Sequence, residues 1–339
     1  MTTQTKTVPM TYQEALVAAL REEMRRDPKV HVLGYYLPYL FFGIEDPSMV
    51  KEFGEERIIR TPISEASFTG MGVGAAMAGL RMVVDLLQPG FIWLAMDQLV
   101  NQAAKNRYLF GGQCSVPAVF VSAMNPGSKA GAHHTERQYP VFMHIPGFKV
   151  IAPSTPYDMK GLFKSAIRDP DPVMVFLDNS AGPRWGGRRH EVPVEDYTIP
   201  LGQAAIRQVG KDITLVTVCW LHRTMEAAEA LTKEGISVEV IEPRSLKPLD
   251  MDTILTSVRK TGRLVIVDIS HRVCGAAAEI SATIAEDGFE YLKAPIIRIT
   301  VPDVHIPASA PLDDAIWPSR DRIVTAVKEC LSFRGPVRS

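Results

Sequence analysis

Apolar positions along this chain alternate between two spacings, and the alternation predicts a layered α/β fold. Thr11 followed by Glu14 forms a capping box. Ala15, Leu16, Ala19, Leu20 and Met24 then fall on one helical face as far as Asp27-Pro28. Val30 to Leu33 is a short apolar strand closed by Gly34, and similar runs predict strands over 57–60, 82–87, 118–122, 149–152 and 173–177. Between them, 68–79 is crowded with Gly and Ala, 93–108 has helical spacing, and 155–168 opens with Thr155-Pro156. Strands alternating with helices in this way imply a mostly parallel sheet covered on both faces.

From Gly182 to Pro200 the pattern lapses into a loop-like stretch with Pro183, Gly186, Gly187, Pro193 and Pro200 and the cations Arg184, Arg188 and Arg189. A second α/β unit follows, with strands expected over 213–219, 237–241, 263–268 and 296–301. Its helices are expected over 224–234, 251–261, 276–287 and 320–331. We therefore expect two domains, 8–185 and 198–332, and find no repeat of fixed period.

Composition narrows the function. The 339 residues carry 37 Lys and Arg against 38 Asp and Glu, a net charge of −1, so no global field attracts nucleic acid or an anionic membrane. The longest apolar runs, such as 215–221 and 90–96, fall short of the roughly 20 residues of a membrane span. The first ten residues lack a signal-peptide core, which makes a cytoplasmic location the expectation. Cys114, Cys219, Cys274 and Cys330 are widely spaced and suggest neither a disulfide framework nor a structural metal.

Few residues offer chemistry. Gly70-Met71-Gly72-Val73-Gly74 imitates a dinucleotide fingerprint, but Pro62, Ser64 and Glu65 precede it where a buried strand should end. The better reading is a helix of little bulk that lets another backbone come close, in this chain or a partner. Glu65 opens that helix, either sharing a proton from an apolar surround or satisfying helix amides. His133-His134 sits in a Gly-led loop after a strand, as a rim acid/base candidate or as solvent-facing histidines. Phe91 and Trp93 form an aromatic wall or pack into the core.

Taken together, the strings are familiar. Thr61-Pro62-Ile63-Ser64-Glu65 leads into Gly74-Ala75-Ala76-Met77-Ala78-Gly79-Leu80; Asn101-Gln102-Ala103-Ala104-Lys105, Ala152-Pro153-Ser154 and Ala166-Ile167-Arg168-Asp169 follow; Arg244-Ser245-Leu246-Lys247-Pro248-Leu249-Asp250 lies in the second half. In that order they resemble the β subunit of the decarboxylating component of 2-oxoacid dehydrogenase complexes, in pyruvate, branched-chain and acetoin dehydrogenases. The resemblance implies a transketolase-like pyrimidine-binding domain, a transketolase C-terminal domain and the cofactor thiamine diphosphate. It implies that Glu65 bonds the aminopyrimidine ring nitrogen and activates the cofactor, that Phe91 packs on the pyrimidine, and that His134 assists at the substrate or acyl-transfer stage. It also implies a structural potassium ion at Ala166, Ile167 and Asp169.

Such enzymes hold Mg²⁺ and the diphosphate through a G-D-G stretch, and none occurs here. The resemblance thus implies an α subunit that supplies Mg²⁺ and the diphosphate half, in a heterotetramer of two α and two β chains, with a lipoyl acyltransferase as a further partner. The expected activity is oxidative decarboxylation of a 2-oxoacid with transfer of the acyl group to lipoyl-lysine. The alternatives are a free-standing carbon–carbon lyase or ligase of the same architecture and a non-catalytic scaffold. Tyr35 and Tyr36 follow Gly34 where relatives have acidic residues, and Ile269 and His271 replace a usual Glu and Trp.

Overall fold

The computed structural model describes residues 6–35, 39–40, 44–45, 47–178 and 189–334. It divides into two compact units, Met1–Leu201 and Gly202–Ser339.

In the first unit, strand β1 (Thr7–Met10) leads into helix α1 (Tyr12–Arg26). The capping box forms: the Glu14 amide donates to Thr11 Oγ1 (3.2 Å) and the Thr11 amide to Glu14 Oε2 (2.8 Å). Strands β2 (Val30–Gly34), β3 (Ile58–Arg60), β4 (Arg81–Asp85), β5 (Ala118–Met124), β6 (Lys149–Ile151) and β7 (Val173–Asp178) build the sheet in the order β6-β7-β5-β4-β2-β3. Every one of these neighbours is parallel. Helix α2 (Glu65–Met77) links β3 to β4, and α3 (Pro156–Arg168) links β6 to β7. A strand missed by the hydrophobic pattern, β8 (His190–Pro193), pairs antiparallel with β1. It is half polar and mostly exposed, so its sequence carries no period-2 apolar signal.

Alternate strand residues explain the two-sided burial. Val32, Val83, Val121 and Val175 point to the face covered by Leu16 and Leu20 of α1 and Leu162 and Phe163 of α3. Phe120 points to the other face, where Phe148, Phe142, Phe176 and Tyr139 pack at centroid distances of 5.3–6.1 Å. Each such side chain contributes about 1.5–3 kcal/mol when removed from water.

One expected element differs. The helix anticipated over 93–108 is broken into a 3₁₀ segment (Pro89–Ala95), a π-helical turn (Asp97–Ala103) and a short α-helix (Asn106–Leu109). The breaks fall at Met96 and Ala104, and at the second the carbonyl lies against Gly147, where a Cβ would stand 2.0 Å from the Ala104 oxygen. Local i,i+4 bonds, Asn101 to Asp97 (2.7 Å) and Lys105 to Asn101 (2.6 Å), hold the wide turn between them.

The second unit is a five-stranded sheet of β9 (Ala205–Gln208), β10 (Ile213–Val218), β11 (Val238–Glu242), β12 (Leu264–His271) and β13 (Ile297–Val301), ordered β9-β11-β10-β12-β13. Only β9 runs antiparallel to its neighbour. Helices α4 (Leu221–Lys233), α5 (Met251–Thr261), α6 (Ala276–Asp287) and α7 (Arg320–Ser332) join or follow the strands. No helix among the described residues is long and apolar enough to cross a membrane.

Candidate active site

In a parallel sheet, ligands bind where loops leave the carboxyl ends of the strands, beside the point where the strand order reverses. Here the chain steps from β2 outward to β3 and then returns to β4 on the other side of β2. The catalytic candidates Glu65 and His134 and the cofactor-binding candidate Phe91 all leave that edge. Glu65 follows β3, Phe91 follows β4 and His134 follows β5.

Glu65 is the first residue of α2 and only 6% exposed, yet its carboxylate accepts no hydrogen bond from any described residue. It therefore does not cap the helix amides. Thr69, one turn further along α2, is fully buried, and its hydroxyl also lacks a hydrogen-bond partner, as does that of Thr61. With no partner among the described residues, the carboxylate keeps a narrow opening to solvent instead of being sealed in the core.

Phe91 and His134 come together, with ring centroids 5.6 Å apart and planes at 77°, an edge-to-face pair. His133 is exposed and His134 half-buried, so the two adjacent histidines separate into a rim residue and an inner one. Trp93 is not core. It is 47% exposed, and its indole N–H donates to Glu136 Oε2 at 2.7 Å, tying the loop after β4 to the loop after β5. Gln138 does the same through Pro89 O (2.9 Å) and the Glu136 carboxylate. Asn125 is a third tie, donating to Gln88 Oε1 (3.0 Å) and His134 O (3.2 Å). Nothing in the hydrophobic pattern marks Asn125, Glu136 or Gln138; their only sequence signal is a polar residue between Gly and Pro turns.

The approach to Phe91 is strained. Leu87 sits in the left-handed region at φ 58°, buried, with its amide bonded to Asp85 Oδ1 at 2.9 Å. Gly34 lies against the same aspartate, where a Cβ would fall 3.0 Å from Asp85 Cβ. Tyr35 packs its ring on Phe68 at 6.0 Å, so an aromatic pair stands beside the first turns of α2 in place of an acid. In the second unit Ile269 is buried, and His271 Nε2 lies 3.0 Å from Val304 O.

Ala166, Ile167 and Asp169 also converge, but around side-chain cations. Arg81 Nη1 donates to the carbonyls of Ile167 (2.8 Å) and Asp169 (3.2 Å), the Ala166 carbonyl accepts the Asp169 amide, and Lys149 Nζ lies 2.6 Å from Asp169 Oδ1. Arg189 turns back into the chain, pairing with Glu14 at 2.6 Å and donating to Pro9 O. Tyr36, Arg184, Arg188 and the tail beyond 334 lie outside the described residues.

The residues present fit half of a thiamine diphosphate site. An unpaired buried carboxylate suits a ring nitrogen that must be protonated, and Phe91 suits the face of a heteroaromatic ring. The sequence holds no G-D-G for the diphosphate. Comparison with known proteins agrees. Residues 8–183 match the transketolase pyrimidine binding domain and 202–323 the transketolase C-terminal domain. The chain is 44% identical to the acetoin:2,6-dichlorophenolindophenol oxidoreductase subunit beta of Bacillus subtilis (strain 168), over 84% of this chain and 82% of that one. It is 42% identical to pyruvate dehydrogenase E1 component subunit beta-1, mitochondrial, of Oryza sativa subsp. japonica (94% and 86%). Identity to the pyruvate dehydrogenase E1 component subunit beta of Rhizobium meliloti (strain 1021) is 40% (96% and 70%). A split-gene transketolase described as an inactive beta4 tetramer shares the fold, with TM-score 0.75 at 21% identity over 96% and 99% of the two chains. A transketolase pyrimidine binding domain, a transketolase C-terminal domain and these relatives together place the chain in the family of transketolase-like β subunits to which those of pyruvate dehydrogenase E1 and acetoin oxidoreductase belong.

Proposed function

We propose that this chain is the β subunit of a thiamine-diphosphate-dependent 2-oxoacid dehydrogenase, working in a heterotetramer with an α subunit. The observation that carries the reading is Glu65, buried, unpartnered and placed at the carboxyl edge of a parallel sheet. When bound, thiamine diphosphate supplies a carbon nucleophile that attacks the substrate carbonyl and stabilises the negative charge left by bond cleavage. Glu65 would hold the proton shared with the aminopyrimidine ring nitrogen, and Phe91 would wall that ring. His134, on the loop pinned beside Phe91, would face the substrate and exchange protons with it. Mg²⁺ and the diphosphate belong to the α chain in this reading, and lipoyl-lysine of an acyltransferase is the acyl acceptor. At the Ala166–Asp169 turn the carbonyls of Ile167 and Asp169 are taken by Arg81, that of Ala166 by the Asp169 amide and the Asp169 carboxylate by Lys149, so the turn does not fit a potassium ion.

A second reading keeps the site and changes the substrate to acetoin. The 44% identity to the Bacillus subtilis subunit favours it, as does the aromatic Tyr35 where an acidic residue is usual.

The test is reconstitution with the α chain, thiamine diphosphate and Mg²⁺, following reduction of 2,6-dichlorophenolindophenol with pyruvate or acetoin and acylation of a lipoylated domain with pyruvate. We expect no turnover from the isolated chain and turnover from the assembly. Glu65→Gln should lower that turnover by about 10²-fold or more. Full activity from the isolated chain, or unchanged turnover in Glu65→Gln, would overturn the reading.

A further inference from the structure

The structure assigns to Asn125 the role of a positioning residue that holds His134 against Phe91; this rests on the reading of those two residues given above. Asn125 stands one residue past the end of β5, on the rigid sheet, and is 8% exposed. Its Nδ2 reaches two loops at once. One bond goes to Gln88 Oε1 (3.0 Å) in the loop after β4, another to the main-chain carbonyl of His134 (3.2 Å), and a third contact returns to Ala123 O (3.3 Å). Gln88 is itself bonded to Phe91, whose amide donates to the Gln88 carbonyl at 3.1 Å. A continuous path therefore runs from Phe91 through Gln88 and Asn125 to the backbone of His134, with its central amide anchored to a strand end.

The chemistry of that path needs a carboxamide. Gln88 Oε1 and His134 O are both acceptors, so only a side chain with two N–H groups can serve them together. A carboxylate would repel the His134 carbonyl, which can only accept, and a methyl group would leave that buried acceptor unpaired. Asn125 touches no reacting atom in this arrangement. It acts by fixing where the His134 ring stands, and displacement by about 1 Å costs on the order of 10²-fold in rate.

A double-mutant cycle in the reconstituted αβ assembly, loaded with thiamine diphosphate and Mg²⁺, tests this. The substrate is whichever of pyruvate and acetoin the wild type turns over. Asn125→Ala should lower kcat by about 10- to 100-fold while the assembly elutes at wild-type size. In a His134→Ala background the same substitution should change kcat by less than about twofold, because the two act as one unit. Gln88→Met removes the other end of the bridge at similar volume, should show the same pattern, and replaces Asn125→Ala if that variant does not assemble. Equal losses in both backgrounds, or unchanged kcat in the single variant, overturn the positioning role while leaving His134 in the site. Wild-type kcat in His134→Ala alone overturns the assignment of His134 and the proposal with it.

Discussion

Gly90 and His133 are in backbone contact: a Cβ at position 90 would stand 2.1 Å from the His133 carbonyl oxygen and 3.0 Å from its carbonyl carbon. No rotamer relieves that clash, because the obstructing atoms are main chain. The loop carrying Phe91 and the loop carrying His134 can meet only because residue 90 has no side chain. We expect Gly90→Ala to part the two loops and lower turnover of the reconstituted assembly by about 10²-fold. Steady-state kinetics beside size-exclusion chromatography checks this; wild-type kcat in an assembled Gly90→Ala enzyme contradicts it.

Little of this pairing was legible in the residue pattern. The strands and most helices were, since Val32, Val83, Val121 and Val175 face one layer and Phe120 the other, which makes each strand a continuous apolar run. Glu65 was visible as an acid opening a helix without bulk, and its lack of a partner appears only in three dimensions. The segment expected as one helix over 93–108 has helical spacing throughout, because 3₁₀, π and α winding place apolar residues at similar intervals; the changes of winding at Met96 and Ala104 show only in three dimensions. Asn125, Glu136 and Gln138 were invisible for a related reason: their partners lie on a different loop, so no local period records them.

The small residues of α2 serve two different surroundings. A Cβ on Gly72 would fall 2.6 Å from Val84 Cγ2, inside this chain's own sheet, whereas one on Gly74 meets nothing within 4 Å. Gly74 instead borders an open groove of about 240 Å³ with Met77, Gln102, Asn106 and Phe110. Gly72→Ala should therefore destabilise the isolated chain by about 1–3 kcal/mol through overpacking. Gly74→Ala should stabilise it by up to about 1 kcal/mol through helix propensity. Urea unfolding of the two variants separates them, and equal shifts of the same sign would contradict the division of the helix into an inner and an outer face.

Glu23 of α1 is fully buried and is held mainly by Arg168 of α3, whose Nη2 lies 2.6 Å from Oε1 and whose Nε lies 3.1 Å from both carboxylate oxygens. Arg26, more exposed, holds Oε2 through Nε at 2.8 Å and Nη2 at 2.7 Å. Removing Arg168 leaves Oε1 without its partner while Arg26 keeps Oε2, so Arg168→Met should cost about 1–3 kcal/mol. Replacing both partners, Glu23→Met with Arg168→Met, should recover most of that loss, because the desolvated charge goes with its counterion. Chemical denaturation of the single and double variants gives the answer, and additive losses would rule out the coupling.

Asp250 caps α5 in the second unit, with Oδ1 accepting the Thr253 amide (3.1 Å) and Oδ2 the Ala204 amide (2.9 Å) and the Thr253 hydroxyl (2.8 Å). Burial alone would raise its pKa, but the bonds from Ala204 and Thr253 and the charge of Arg244 outweigh it and hold the carboxyl below its ordinary range. The sign follows from linkage. A carboxyl with a depressed folded value contributes its full stabilisation above the unfolded value, about pH 4, and loses it as pH falls through the folded value. At pH 7, Asp250→Ala should destabilise by about 1–2 kcal/mol, the range of a lost N-cap. As pH falls below about 4 and through the lower folded value, the wild-type carboxyl takes up its proton, the charged part of the cap disappears, and the gap between the two proteins should narrow. Urea midpoints at pH 7 and in a descending acid series follow the difference. A gap that stays constant across that interval would show that the cap stabilises α5 by geometry alone, without the negative charge at the helix N-terminus.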